Sequence, residues 1–418
     1  MSGENNEECE NEYPESISEG KTYKYNFWKN KPVTKFEDIY TDSTNIEKNL
    51  SNRNVYAQEE PIKLPNNMTW VQIDLKDGAA LEPIVKFLRS HYLVDVSNKF
   101  KLDYTAEFIR WTLGEDGILL AIVSKTNGAI CGTIAASFNN IRVFDTTQKF
   151  GVVNYLCAHP IYRKKKIAFT LIDEITRRIV KLGVNQGCFT TERCVPSPTT
   201  TLRYYHRPLN YLKLSKHKFT EMEGGVPEKH HEKFLIKGKA SNKYVKVDKS
   251  HIRDILKVFN LFMTRFNIHC VYTEEELEYM LINDFVRSYV ELDDDKNIID
   301  FVSYYKLPYV MDGEEEKINA GYIFLYTCNS TAGDEMMTQL LRLVSRDDTL
   351  DIFTVTDTMI IQDTLLIKHL PLDYDSDVDS YQKPYQHKFM RGSGKIHFNF
   401  FNWKCSTVSP RQIQWVSF

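Results

Sequence analysis

One succession of patterns occurs twice along this chain, and it constrains the fold more than any single motif. Trp70-Val71-Gln72-Ile73-Asp74 alternates as a strand does, and Leu81, Ile84, Val85 and Leu88 follow at helical spacing. Tyr244-Val245-Lys246-Val247-Asp248 alternates in the same way, with Ile252, Ile255, Leu256 and Phe259 marking the next helix. Tyr104-Thr105-Ala106-Glu107 opens a further helix and Tyr272-Thr273-Glu274-Glu275 its counterpart, while the strand-like residues 130–134 answer to 299–303. The offset stays at about 170 residues, so two related halves of the α/β class are expected. The polar run 237–242 sets the boundary, giving 23–240 as the first half and 241–418 as the second.

The chain has 418 residues, more than one core holds, and 42% hydrophobic residues to build two. Charges nearly cancel, 53 basic against 56 acidic, which argues against a general nucleic-acid binder. No apolar run approaches the ~18 residues of a membrane span. Residues 1–20 carry seven glutamates and no Lys or Arg, unlike a signal peptide, and 1–22 read as a disordered acidic tail. Residues 41–60 read as a long loop. Eight cysteines lie far apart with no CxxC pair, so neither a zinc knuckle nor a disulfide framework is expected. His230-His231 lack spaced partners, and no metal site is expected. Gly392-Ser393-Gly394-Lys395 is followed by Ile396 and does not complete a phosphate loop. A cytoplasmic globular protein is the expectation.

The stretch 151–183 carries the most chemistry. Residues 152–158 form a mostly apolar, β-rich run, followed by His159-Pro160 and the basic turn Arg163-Lys164-Lys165-Lys166. Ile167, Leu171, Ile172, Ile175 and Ile179 then lie on one stripe of a helix that Gly183 ends. Asp173–Arg177 and Glu174–Arg178 are spaced as i,i+4 pairs on its outer face. A strand that enters a helix N-terminus through a basic turn forms an anion cradle, because free N–H groups and the helix dipole face the ligand. A solvated charge run and a nuclear-localisation signal are the alternatives.

Asn154-Tyr155-Leu156-Cys157-Ala158-His159 resembles the N-F-L-C-x-H signature of the eukaryotic glycylpeptide N-tetradecanoyltransferases, the protein N-myristoyltransferases. Tyr25-Asn26-Phe27-Trp28 with Pro32-Val33 is similar to the family's Y-x-F-W-x-x-x-P-V segment, and Leu64-Pro65 with Thr69-Trp70 to its L-P-x-x-x-x-W block. Phe100-Lys101-Leu102-Asp103-Tyr104, Glu107-Phe108 and Trp111 resemble F-R-F-x-Y-x-x-E-F-x-x-W. Residues 203–210, Arg-Tyr-Tyr-His-Arg-Pro-Leu-Asn, resemble R-Y-[WY]-H-R-x-L-N, and Asn402-Trp403-Lys404-Cys405 matches N-W-K-C. The resemblance runs from Tyr23 to Phe418.

It implies two tandem GNAT-like acyltransferase halves with internal pseudo-two-fold symmetry. The first binds myristoyl-CoA, the acyl-donor cosubstrate, and the second supplies much of a peptide groove. The activity implied is transfer of a tetradecanoyl group to the α-amine of an N-terminal glycine, with no prosthetic group. Implied acyl-CoA contacts are Asn26, Phe27, Trp28, Tyr155, Leu156, Cys157, Ala158, Arg163, Lys164, Lys166, Ile167 and Ala168. Backbone N–H groups at Tyr155 and Leu156, beside Asn154, would face the oxyanion, and side-chain identity there is expected to matter little. Thr190 would hold the incoming amine, and the α-carboxylate of Phe418 would act as base. Tyr204 and His206 would line the peptide groove, His206 meeting a small polar side chain. The partners implied are glycine-starting proteins, with ribosome association, no nucleic acid and a monomeric state.

The sequence also departs from the family. K-F-G-x-G-D-G survives as Lys388-Phe389-Met390-Arg391-Gly392-Ser393-Gly394, and Y-V-E-D-x-D as Tyr92-Leu93-Val94-Asp95-Val96-Ser97. An acidic stretch, 373–379, is longer than the family norm and reads as an exposed loop. Of three carboxylates that would meet a basic peptide residue, Asp95 remains, while Ser97 and Ser393 replace the others. Weak selectivity for such a residue is therefore expected. The alternatives to this activity are a GNAT enzyme using a shorter acyl-CoA and a homologue that binds acyl-CoA or peptide without turnover.

Overall fold

The computed structural model describes residues 13–38, 44–45, 56, 58–93, 99–220, 226–347, 349–361, 364 and 386–416. Phe418, Asp95, Ser97 and the stretch 373–379 lie outside the described residues. The chain divides into two compact units, one running to Thr201 with Ile396–Ser409 added, the other Leu202–Lys395 with Pro410–Val416.

In the first unit the elements are β1 (Met68–Gln72), α1 (Gly78–His91), α2 (Ala106–Leu113), β2 (Ile118–Ser124), β3 (Ile130–Val143), β4 (Thr146–Ala158), α3 (Ile167–Lys181) and β5 (Gln186–Thr191). They form a sheet in the order β1-β2-β3-β4-β5, with residues 397–401 beside β5. Every neighbour pairs antiparallel except β4 and β5, which run parallel with α3 as their crossover.

The second unit contains β6 (Thr200–Pro208, from Leu202 on), β7 (Tyr244–Lys246), α4 (Ile252–Met263), α5 (Glu274–Leu281), β8 (Val286–Leu292), β9 (Ile298–Lys306), β10 (Ala320–Tyr326), α6 (Gly333–Asp347), β11 (Ile352–Thr356) and the start of β12 (Met390–Phe401). Its order is β7-β8-β9-β10-β11-β6, again antiparallel except for β10 and β11, which α6 joins. Strand for strand this is the pattern of the first unit, so the repeat read from the sequence is a repeat of topology. The division falls at 201/202, whereas the polar run 237–242 lies within the second unit. The reason is β6, whose residues 204–208 pair with β11 and so carry the preceding chain into the second sheet.

Local chemistry explains the paired helices. The Thr105 hydroxyl accepts the Phe108 N–H at 3.1 Å, and Thr273 accepts that of Glu276 at 3.2 Å while the Glu276 carboxylate takes the Thr273 N–H. In α3 the expected stripe is buried, and Gly183 follows the helix at φ +80°. Its charged face differs from expectation. Glu174 does pair with Arg178, at 2.7 Å, but it is fully buried and also grips Arg177, while Asp173 pairs with Lys31. The N-terminal segment, packed over this face, turns solvent-facing positions into interior ones.

Of the acidic tail expected over 1–22, residues 13–22 are described, and they are folded. Tyr13 is buried against Tyr23 and Tyr25, Pro14 accepts the Cys194 N–H at 2.7 Å, and Ile17–Gly20 is a helical turn capped by Ser16. Aromatic packing outweighs the acidic composition there. Within the loop expected over 41–60, Thr44–Asn45 pairs with Trp403–Lys404. At the other end Ile413 bridges to Ile268, and Ile413, Gln414 and Trp415 are buried. Among the described residues no helix is long and apolar enough to cross a membrane.

Candidate active site

The pairing of β4 with β5 ends at Val153–Phe189, so Asn154 and Thr190 are the next residues on the two strands. On its other side β4 is irregular. Ala135 faces Asn154 and Thr133 faces Cys157, so Tyr155 and Leu156 together stand opposite Ile134 alone. This is a β-bulge, which takes backbone groups out of the ladder and re-aims them. Tyr155 adopts φ +55°, a left-handed conformation that costs a non-glycine residue about 1–3 kcal/mol and needs support from its surroundings. Support comes from two threonines: the Thr133 hydroxyl donates to the Tyr155 carbonyl at 3.0 Å, and the Tyr155 phenol meets Thr112 Oγ1 at 2.7 Å. Burial pushes the Tyr155 phenol up, so it remains a neutral hydroxyl. Tyr92, likewise pushed up by burial, packs its ring 5.9 Å from that of Tyr155. Leu156 is half-buried, and the Cys157 thiol is pushed up to about 12 by burial, which disqualifies it as a thiolate nucleophile.

Beyond Ala158, at the end of β4, the chain makes a short 3-10 turn and enters α3 through exposed Arg163, Lys164 and Lys166. Lys164 and Lys166 lie at φ +67° and +59°, and no side chain caps the helix. A helix start without a side-chain cap leaves first-turn N–H groups that suit an anion, and Arg163, Lys164 and Lys166 immediately precede it. Ile167 is buried and Ala168 half-buried in the first turn. The segment bearing exposed Asn26, half-buried Phe27 and buried Trp28 packs alongside. Phe27 stacks on Phe169 at 4.2 Å between ring centres, and Trp28 on Phe189 at 5.5 Å. Most acyl-donor residues named from the sequence thus lie on one strand, its following turn and the segment against them.

The corresponding position in the second unit is already filled. Between β10 and α6 the N–H groups of Asn329, Ser330 and Thr331 donate to the Asp300 carboxylate at 2.7, 2.8 and 2.9 Å, and the Thr327 hydroxyl adds a fourth bond. An internal carboxylate takes the place of an external anion. At the matching position of the first unit, no side-chain cap is present among the described residues.

In the second unit Tyr204 and His206 lie on one face of β6, two residues apart, with rings stacked at 6.2 Å. His206 Nδ1 meets the hydroxyl of Thr354, its register partner on β11, at 3.0 Å. Burial pulls the imidazole down to about 4, so it is neutral near pH 7. Gly392 packs directly on this ring: a Cβ there would lie 2.6 Å from His206 Nε2. That close approach gives the first surviving glycine of the altered 388–394 block its physical reason. Ser393 is exposed. Nearby, the buried Asp357 carboxyl accepts the Arg203 N–H at 2.8 Å, and burial raises it to about 6.

Sequence reasoning missed Thr112, Thr133, Phe169 and Gly392. Phe169 could have been found from its place one residue after the named Ala168 in the first helical turn. The threonines carry no sequence signal, because their role depends on where the bulge falls in the register.

Two family models match the chain: myristoyl-CoA:protein N-myristoyltransferase, N-terminal domain, over residues 45–202, and the C-terminal domain of the same family over residues 218–414. A probable glycylpeptide N-tetradecanoyltransferase of Caenorhabditis elegans is 28% identical over 413 residues, covering 96% of this chain and 87% of its own. Glycylpeptide N-tetradecanoyltransferase 2 of Bos taurus is 28% identical over 408 residues, covering 95% and 77%. The crystal structure of Saccharomyces cerevisiae N-myristoyltransferase with bound myristoyl-CoA shares the fold, with a TM-score of 0.81 at 24% identity over 92% of this chain and 93% of that one. With both domains of one family matched in order along most of its length, the chain belongs to the myristoyl-CoA:protein N-myristoyltransferase family.

Proposed function

We propose that this protein is an acyltransferase that moves a tetradecanoyl group from tetradecanoyl-CoA to the α-amine of an N-terminal glycine. The observation that carries the reading is the kinked bulge at Tyr155–Leu156, next to the end of the β4–β5 pairing and upstream of an uncapped, cation-lined helix start. The cradle at Lys164 and Lys166 would hold the pyrophosphate, with Arg163, Ile167 and Ala168 around it. Asn26, Phe27, Trp28, Cys157 and Ala158 would line the path of the donor.

A thioester is already activated, so no covalent nucleophile is needed, in keeping with a Cys157 that stays protonated. The glycine amine attacks the thioester carbon directly. Charge on the carbonyl oxygen is met by backbone N–H groups of the bulge, with Asn154 beside them. The C–S bond then breaks and CoA leaves as a thiolate that takes up a proton. An ammonium with a pKa of about 7.7–8.0 must first lose its proton. By family resemblance the base is the α-carboxylate of Phe418, with Thr190 holding the amine. Tyr204, His206 and Gly392 would receive the following peptide, and a neutral imidazole suits a small hydroxyl side chain. Asp95 and Ser393 would border a later position. By the same resemblance a monomer acts on glycine-starting chains in the cytoplasm, in association with ribosomes.

Mass spectrometry of a glycine-starting peptide incubated with acyl-CoAs of graded length tests the reading. A tetradecanoyl mass shift on the α-amine, with thiol released in equal amount, is expected. Faster transfer of a short acyl group would replace the substrate assignment, and binding without thiol release would reduce the protein to a binding module.

A further inference from the structure

The Tyr155–Leu156 peptide group is the part of the site whose orientation matters most, and the chain fixes it with side chains outside the expected catalytic set. A trans peptide is planar, so the Tyr155 carbonyl and the Leu156 N–H belong to one rigid plate and point in opposite directions. Whatever holds the carbonyl therefore aims the N–H. Here the holder is Thr133, fully buried on β3, whose hydroxyl donates to that carbonyl at 3.0 Å. In a regular ladder this carbonyl would face a backbone donor, but the register shift between Thr133 and Ala135 replaces that pairing with a side-chain grip.

A second hold acts one bond earlier. Thr112 Oγ1 on α2 donates to the Ile109 carbonyl at 3.1 Å, so at its 2.7 Å contact with Tyr155 the phenol is the donor. That chain of hydroxyls pins the tyrosine ring from the helix side, and with it the left-handed φ of its backbone. The tyrosine in the position where the family signature has phenylalanine is therefore engaged through its hydroxyl.

We propose that Thr133, aided by Thr112 through the Tyr155 phenol, is a positioning residue that aims the Leu156 N–H at the thioester carbonyl. The proposal rests on the reading of the bulge as the oxyanion site, and its test separates the two. In the full chain, Thr133→Val removes the hydroxyl at nearly constant shape, Thr133→Ser restores it, and Tyr155→Phe removes only the phenol contact. Difference infrared spectroscopy on bound tetradecanoyl-CoA with a 13C-labelled thioester carbonyl reads the hydrogen bond without turnover, alongside kcat, KM and Tm.

Thr133→Val is expected to return the carbonyl stretch toward its unbound frequency. It should also lower kcat at least about tenfold while the donor KM stays within about twofold, since a displaced oxyanion donor acts mainly on the transition state. Thr133→Ser should recover both, a rescue that a purely structural role does not give at equal Tm. Should Thr133→Val not fold, Tyr155→Phe keeps the test open, with a smaller frequency change in the same direction. Wild-type frequency and kcat in Thr133→Val, or in Tyr155→Phe when it stands alone, overturn the positioning role and leave the acyl-transfer reading in place. A carbonyl shift that follows Thr133 in a protein that acylates no peptide supports the positioning role and overturns the transfer reading.

Discussion

Removing the Glu174 carboxylate should loosen the helix that bears the anion cradle. Glu174 is fully buried on α3 and accepts four hydrogen bonds: Arg177 Nη2 at 2.8 Å, Arg178 Nε at 2.7 Å, Arg177 Nε at 2.9 Å and the Ile62 N–H at 2.9 Å. Arg177, 4% exposed, also donates from Nη1 to the carbonyls of Gln58 and Glu59, both at 3.1 Å. Glu174→Ala would leave that guanidinium buried with two carbonyl acceptors and only the more distant carboxylates of Glu59 and Glu60 as counter-charge, while Arg178, 20% exposed, can turn to water. Stranding one partner of a buried pair costs about 3–5 kcal/mol, a large share of the roughly 5–15 kcal/mol that holds a domain folded. For a unit of this size the expected fall in Tm is about 10 °C. Urea unfolding with a probe in the first unit, together with a thermal scan, measures it.

The pH dependence follows from the shift at Glu174. Burial opposes ionisation, but the bonds from Arg177, Ile62 and Arg178 outweigh it and hold the carboxyl below its usual 4.5. A depressed carboxyl contributes stability above its unfolded pKa and loses it as pH falls through the folded one. The gap between wild type and Glu174→Ala should therefore be full at pH 7 and close as the pH is taken well below 4.5. Replacing both partners, Glu174→Leu with Arg177→Met, should recover much of the loss. A deficit below about 1 kcal/mol at pH 7, or one that does not change with pH, would refute the reasoning.

Replacing Lys164 and Lys166 together by alanine should weaken acyl-CoA affinity several-fold at low salt and flatten its dependence on ionic strength, as read by titration calorimetry. Gly392→Ala would bring a Cβ to 2.6 Å from His206 Nε2, and moving that ring should raise the peptide KM while donor affinity stays unchanged in the same preparation. A peptide pair differing by Lys or Ala where the altered acidic positions would act should differ little in kcat/KM. A strong lysine preference that survives neutralising Asp95 would contradict that assignment. Extending the chain past Phe418 should abolish acyl transfer and spare donor binding, and full turnover by the extended protein would remove the terminal carboxylate from the mechanism.

The amino-acid sequence alone determined the repeat, its strand and helix types and the family. Those depend on short-range regularities: alternation in β1 and β7, threonine caps at Thr105 and Thr273, an apolar stripe in α3 and contiguous motifs such as residues 154–159. Tertiary structure decided what depends on register and on distant packing. Composition put a boundary in the polar run 237–242, yet pairing across sequence gave β6 to the second sheet and residues 397–401 to the first. Periodicity put Glu174 on the outer face of a helix, yet a segment more than a hundred residues earlier covers it and makes its ion pairs internal. The family resemblance of residues 154–159 named Tyr155 and Leu156. That Thr112 and Thr133 hold them followed only from one extra residue in β4, which changes which side chains face which without leaving a mark in the order of the residues.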